Sequence, residues 1–360
     1  MLIERIRLFI VLARPAVVAA LALFAATGLA QAGSDLGIGS VDDALLLVAV
    51  FGSVAGFLLF SVAVNDLADE AIDRVNLPFD PSRPLVAGTA RRQELKLVAL
   101  SSAAFTLVAS ALMGWSATMI VACGLALSMA YSLPPIRLVG RGAIASVLLP
   151  ACYVAVPYLL GIIAGHDAGD APSVTGLVTT VQGYDLLLLG GLYLGFAGRL
   201  LLKDFRDIRG DAMFGKRTFV VRHGRVVTCR VSAVCWSVGI AVLAVATREP
   251  SWIVLSAWGA GMIASLVLLR RLSYETHPRI EERLISALAI IGRGTVLLLL
   301  VHLAMVNVGW TGPTAQLTVA ALVVVLAGQT WSMVRHGPKG RHLAPFTEPR
   351  ALSTAPGADR

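Results

Sequence analysis

Asn65-Asp66-Leu67-Ala68-Asp69-Glu70-Ala71-Ile72-Asp73-Arg74 closes an apolar run that begins at Ala44. Far downstream, Lys203-Asp204-Phe205-Arg206-Asp207-Ile208-Arg209-Gly210-Asp211 closes another, Leu186 to Leu202. Asp66, Asp69 and Asp73 are three and then four residues apart, and so are Asp204, Asp207 and Asp211. On a helix that spacing puts three carboxylates on one face. The sequence thus predicts two helix ends, each showing a column of carboxylates at the membrane face. Ionisable groups there are costly and mark function. Two facing columns suit Mg²⁺, a hard cation that takes oxygen ligands and bridges carboxylates to substrate phosphates. Asn65, four residues before Asp69, adds a neutral oxygen. The candidate metal ligands are therefore Asn65, Asp66, Asp69, Asp73, Asp204, Asp207 and Asp211, and the six aspartates are also the catalytic candidates.

The rest of the chain fits a membrane protein. It has 360 residues, 57% of them hydrophobic and only 14% charged, and a mean hydropathy of +0.78. An ordinary soluble domain is excluded. Apolar runs near the length of a bilayer span occur at 8–31, 43–64, 95–113, 115–131, 142–164, 185–202, 227–247, 252–270, 287–309 and 315–334. Basic residues cluster before the first run and after the even-numbered ones, whereas the opposite loops carry only Arg248. Positive residues stay on the cytoplasmic side. Both termini and both acidic motifs are accordingly expected to face the cytoplasm, in an integral protein of the plasma membrane. The net charge of +8 reflects this topology and gives no argument for nucleic acid. Leu29-Ala30-Gln31-Ala32-Gly33 has the form of a signal cleavage site, but Arg14-Pro15 inside the run and its length favour a retained span. The four cysteines lack metal-ligand spacing. Residues 1–334 read as one transmembrane domain, and 335–360, rich in Pro, Gly, Ala and charge, as a disordered cytoplasmic tail.

Several basic and aromatic residues stand near the acidic motifs. Arg14 either snorkels or points into the cavity, with Pro15 kinking or starting a helix. The turn Asn76 to Gly88 holds three prolines, and Arg83 within it is placed to return over the acids, where a guanidinium can grip phosphate. Tyr131-Ser132-Leu133-Pro134-Pro135-Ile136-Arg137 ends the fourth run in a rigid turn, with Tyr131 and Arg137 either interface anchors or diphosphate donors. Arg199 lies one turn before Lys203, near the second motif. His302 reads as a hydrogen-bonded buried histidine, and Arg293 as a snorkelling side chain.

Mg²⁺, anionic diphosphate and an apolar cavity together suggest ionisation of an allylic prenyl diphosphate. Metal and basic residues stabilise the leaving diphosphate, and the helices keep water from the cation. The motifs resemble those of the UbiA-type intramembrane prenyltransferases: Asn65-Asp66-x-x-Asp69-x-x-x-Asp73, Arg83-Pro84-Leu85 with Gly88, Tyr131-Ser132-x-Pro134-Pro135-x-Arg137, and Lys203-Asp204-x-x-Asp207-x-x-Gly210-Asp211-x-x-x-Gly215-x-x-Thr218, in family order from Arg14 to about residue 310. The resemblance implies an all-α membrane protein, a bundle of nine to ten transmembrane helices around a central cavity. It further implies two Mg²⁺ ions, a prenyl diphosphate donor and an aromatic or other lipophilic acceptor entering from the membrane. By the same resemblance the acidic residues are Mg²⁺ ligands or their neighbours, and Arg83, Tyr131, Arg137 and Lys203 lie near the diphosphate; Arg199 joins these candidates through helical spacing alone. The second motif looks nearer to the homogentisate, chlorophyll and geranylgeranylglyceryl-phosphate branches than to 4-hydroxybenzoate transferases. Three features depart from the family pattern: a longer turn before Arg83, Val139 where lysine is frequent (with Arg141 a substitute), and the tenth span. A terpene cyclase, a phosphoribosyl transferase acting on a polyprenyl phosphate, and, more distantly, a transporter are the competing readings. Acceptor, donor length and oligomeric state are not fixed by the sequence.

Overall fold

A computed structural model describes residues 2–33, 40–76, 80–166, 181–205 and 208–338. The described residues form helices and turns, with no strand among them. The first apolar run is broken into α1 (Leu2–Ala13) and α2 (Pro15–Gln31). Arg14 between them takes a left-handed backbone, φ 46° and ψ 71°. Pro15 explains the break: its ring suits the first position of a new helix, and it has no N–H with which to continue the old one.

α3 (Val41–Asn76) has 36 residues. At 1.5 Å per residue that is about 54 Å, against a hydrocarbon thickness of about 30 Å. Ala44 to Val64 fills the membrane, and the acidic motif rides on the turns that project beyond it. α4 (Arg92–Ala111) and α5 (Trp115–Ser132) follow, divided by a short turn where the sequence divides them. A 3₁₀ turn (Leu138–Gly140) leads to α6 (Ala143–Pro150), a π-helical turn (Ala151–Ala155) and α7 (Val156–Gly165). Pro157 offers no N–H to the carbonyl of Tyr153 four residues before it, so the wider turn falls where the α-helical ladder is already interrupted.

α8 (Gly183–Leu200) carries the second motif differently from the sequence expectation. The helix ends at Leu200, a 3₁₀ turn covers Lys203–Phe205, and a new short helix, α9 (Ile208–Met213), carries Asp211. The predicted single column of Asp204, Asp207 and Asp211 is thus not one helix face. Leu202 and Phe205 are both buried in the same apolar cluster. Asp207 lies outside the described residues. α10 (Phe219–Ala246), α11 (Trp252–Tyr274), α12 (Pro278–Asn307) and α13 (Pro313–His336) complete the chain. Among the described residues nine helical stretches are long and apolar enough to cross a membrane, with α6 to α7 counted as one; α2, at 17 residues, is a shorter apolar helix. α13 runs to His336, two residues into the segment expected as a tail, and residues 339–360 lie outside the described residues.

α2 ties the two halves of the bundle together. Leu21 and Leu29 join the core of α3, α5 and α7, while Phe24 and Ala30 join that of α8, α10 and α12. α2 and α7 cross at backbone contact. A Cβ at Gly28 would fall 2.1 Å from the Tyr158 carbonyl oxygen, and one at Gly161 2.1 Å from the Ala25 oxygen. At the end remote from the acidic motifs, Gln31 Nε2 donates to Asp185 Oδ1 at 2.9 Å. His302, buried, has Nε2 3.2 Å from the Arg248 carbonyl oxygen there, a structural hydrogen bond. α13 packs at the periphery, with only Ala315 and Val319 buried among its residues.

The glycine crossing gives a direct stability test. Gly161→Ala should destabilise the detergent-purified protein by about 1–3 kcal/mol, the range of overpacked sites, because backbone must move. Gly195→Ala, where an added Cβ meets nothing within 4 Å, should change it by no more than about 1 kcal/mol. Thermal unfolding of the two variants side by side distinguishes these outcomes.

Candidate active site

The first motif faces inward as its spacing predicts. Asp66, Asp69 and Asp73 are 3, 5 and 7% exposed, while Glu70 turns away toward α4 and pairs with Arg74 and Arg92. Asp211, from α9, is fully buried. Burying carboxylates requires cations and hydrogen bonds in place of water, and four separate segments supply them. Arg14 NH2 lies 2.9 Å from Asp66 Oδ1. Arg83 pairs with the same oxygen and places Nε 3.3 Å from Asp73 Oδ2. Arg137 NH2 lies 2.8 Å from Asp69 Oδ1. Lys216 Nζ sits 3.3 Å from Asp69 Oδ2 and 3.5 Å from Asp211 Oδ1. Its ammonium therefore bridges the two acidic motifs. Asn65 Nδ2 donates to Asp69 Oδ2 at 3.3 Å.

Two of these arginines are held in backbone conformations that L-residues disfavour. Arg14 has φ 46° and Arg137 φ 38°. Each left-handed residue costs roughly 1–2 kcal/mol, and each has its guanidinium on a motif aspartate. Arg14 stands immediately before Pro15, and Arg137 two residues after Pro134-Pro135. Such outliers cluster where geometry serves function.

The remaining candidates fall into place unevenly. Tyr131 is buried at the end of α5, within electrostatic range of Lys203, Asp204 and Asp69; it stands between the motifs. Lys203, 40% exposed, pairs with the neighbouring Asp204 at 2.6 Å, at the rim. Arg199 stands one turn inside, with its guanidinium 5.7 Å from the Phe196 ring centre. Lys216 and Arg14 are central, yet neither was among the expected site residues. Lys216 sits in Gly215-Lys216-Arg217-Thr218, a run that also reads as topology, and Arg14 had snorkelling as an equal alternative. Tyr153 was missed as well. It stacks on Phe196 with ring centres 6.1 Å apart and lies within electrostatic range of Arg14, Lys203 and Asp66. The adjacent Pro150 and Pro157 were the available signal, since π turns recur at functional sites.

The donor set suits a hard cation. Every acidic ligand is oxygen, and Asp66 Oδ2 is buried without a hydrogen-bond partner among the described residues. Among the described residues no three acidic, histidine or cysteine side chains form a group ready to hold an ion. The carboxylates are instead engaged by basic side chains, and Lys216 occupies the cationic position between Asp69 and Asp211.

Fold and site thus define an integral membrane protein of helical architecture with a charge-compensated acidic centre at one face. The UbiA prenyltransferase family matches residues 15–291, and the chain belongs to that family. It is 31% identical over 229 residues to the bacteriochlorophyll synthase 34 kDa chain of Chloroflexus aurantiacus, covering 62% of this chain and 64% of that one. It therefore spans less than two thirds of that relative. The digeranylgeranylglyceryl phosphate synthase of Methanopyrus kandleri is 29% identical over 239 residues, 66% of this chain and 77% of its own. The apo UbiA homologue of Aeropyrum pernix K1 superposes with a TM-score of 0.61 at 14% identity, covering 82% of this chain and 98% of its own. An Archaeoglobus fulgidus homologue described as bound to DMAPP and Mg²⁺ gives 0.52 at 16% identity, with 81 and 98% covered.

Because Lys216 is 12% exposed and Lys203 40%, the two lysines should differ in stability. Lys216→Met should lower the thermal midpoint in metal-free buffer by the equivalent of roughly 3–5 kcal/mol, the cost of leaving a buried charge without its partner. Lys203→Met should cost under about 1 kcal/mol, as for an exposed pair.

Proposed function

We propose that this protein transfers a prenyl group from an allylic prenyl diphosphate to a lipophilic acceptor, aromatic or not, at the cytoplasmic rim of the plasma membrane. The observation that carries this reading is the charge-balanced centre: four carboxylates (Asp66, Asp69, Asp73, Asp211) against four cations (Arg14, Arg83, Arg137, Lys216). Such a set can exchange partners. An incoming anionic headgroup takes up the guanidinium and ammonium donors, and the carboxylates turn to accompanying metal. Family membership supports the donor class, and the A. fulgidus homologue described with DMAPP and Mg²⁺ supports a divalent ion. Asp66, Asp69, Asp73 and Asp211, with Asn65, Asp204 and Asp207, are the residues that would hold it, as two ions. When bound, Mg²⁺ supplies neutralisation of the charge that gathers on the leaving diphosphate.

The chain's own residues do the rest. Arg14, Arg83, Arg137 and Lys216 donate to non-bridging oxygens, with Tyr131, Lys203 and Arg199 near the headgroup. The allylic C–O bond breaks and its electron pair leaves with diphosphate. The cation rests against the aromatic faces of Tyr153 and Phe196, which attract positive charge, while the buried helices exclude water. A nucleophilic atom of the acceptor then bonds to the allylic carbon and sheds a proton to an oxygen at the rim. The named relatives, a bacteriochlorophyll synthase chain and a digeranylgeranylglyceryl phosphate synthase, favour acceptors beyond simple phenols. Residues 1–334 form the catalytic unit in this reading.

The test is release of pyrophosphate from labelled allylic diphosphates of several lengths, with Mg²⁺ and a panel of phenolic, tetrapyrrole and glycerophosphate acceptors. Acceptor-dependent release with a joined product is expected, and EDTA should abolish it. Asp69→Ala and Asp211→Ala should each lower the rate by roughly 100-fold or more, as when a major electrostatic contributor is lost; retained turnover in both variants would sink the assignment. Release without acceptor, giving a cyclic product, would point to a cyclase instead. Arg137→Gly separates geometry from chemistry. Glycine relieves the left-handed strain, so its thermal midpoint should hold within about 1 kcal/mol while pyrophosphate release falls at least tenfold, the range of a charge-assisted contact.

A further inference from the structure

A second cationic feature lies beneath the acidic centre. An apolar cavity between α2, α8, α10 and α12 is lined by Phe24, Phe196, Trp236 and Leu243, and by two arginines, Arg199 and Arg293. Arg293 stands near the midpoint of α12, well below its charged start at Arg279, Glu281, Glu282 and Arg283. No carboxylate pairs with Arg293 among the described residues. The approach of the two helices is set by Gly292: a side chain there would meet Trp236 at 3.1 Å and Arg199 Cδ at 3.9 Å. Arg199 thus passes beside the residue preceding Arg293. Two guanidinium groups line one largely apolar cavity. A guanidinium at membrane depth is retained where it serves a ligand or a pathway.

We infer that this cavity binds the oxyanion of an amphiphilic acceptor, a carboxylate or phosphate carried on an apolar body, with Arg293 and Arg199 as its anion donors. Guanidinium groups match both oxyanions by paired hydrogen bonds. The aromatic and aliphatic walls accept the apolar body, and the cavity shares Phe196 with the aromatic pair proposed to face the allylic cation, so an anchored acceptor would lie next to it. The inference rests on the prenyl-transfer reading for the word acceptor, but the site can be tested without donor or metal.

Trp236, buried and lining the cavity, is an internal reporter. Its fluorescence, isolated by difference against Trp236→Phe, is measured in detergent as three probes are added: a brominated long-chain carboxylate, the matched alkyl phosphate and the neutral methyl ester of the acid. Saturable quenching by one or both anions and weaker binding of the ester are expected; which anion binds more tightly identifies the source. Arg293→Gln should weaken anion binding by roughly 10- to 100-fold, as for a hydrogen bond to a charged group, leave the ester unchanged, and be largely rescued by Arg293→Lys. Gly195→Leu, placed where an added Cβ meets open space, should block all three probes. Equal binding of acid and ester by the wild type would overturn the inference, which keeps it falsifiable if a variant fails to fold. So would an unaffected Arg293→Gln, displacement by inorganic pyrophosphate, which would give the arginines to the donor, or displacement by excess phosphatidylglycerol, which would make this a bilayer-lipid site. Because no donor is present, these outcomes speak to the cavity alone, whereas failed pyrophosphate release speaks to the parent reading.

Discussion

Four carboxylates taken out of water at the edge of a membrane demand four cations, and much of the architecture follows from supplying them. Asp66, Asp69 and Asp73 come from one helix, Asp211 from a second element, and their partners from the α1–α2 joint, the loop before α4, the turn after α5 and the loop before α10. No two of the four cations are close in sequence. The ion pairs therefore fasten one end of the bundle. Buried pairs of this kind add little net stability, but removing one partner is severe. That asymmetry makes the centre specific in its pairing rather than a large source of stability.

The compensation is built on unfavourable local geometry. Arg14 and Arg137 occupy left-handed backbone where glycine would be at ease. Tyr153 sits in a π-helical turn between two prolines. These three lie against the site, whereas another left-handed residue, Glu249, stands in the turn before α11 at the remote end. Strain of this kind persists where the surrounding packing over-determines it, and the close crossing of α2 with α7 at Gly28 and Gly161 provides that rigidity on the α2 side.

Much of this was legible in the sequence, for identifiable reasons. Hydropathy gave the spans because a bilayer sets their length, and α3 carried its three aspartates on one face because nothing interrupts it. The second motif misled because the same three-then-four spacing occurs across a helix break, between the 3₁₀ turn Lys203–Phe205 and the short helix Ile208–Met213, and spacing alone does not register such a break. Lys216 was hidden by its company, since a lysine beside an arginine in a cytoplasmic loop satisfies the topology rule without any further role. Arg293 was read as a snorkelling side chain, although its cavity is formed by helices that the sequence cannot place side by side. Asp207, central to the sequence reading, lies outside the described residues.

The span of chain between Asp69 and Lys216 has a consequence for biogenesis. The two residues are 147 positions apart, so ribosomal synthesis delivers the acid well before the ammonium. Arg14 and Arg83 emerge near the first motif, and Arg137 follows Asp69 by 68 positions, early enough to accompany it while the later helices are still being made. Lys216 arrives only after α8 has been laid down, and it joins the acids of both motifs in one step. The last of the four cations to be synthesised is thus the one that joins the acids of the two motifs.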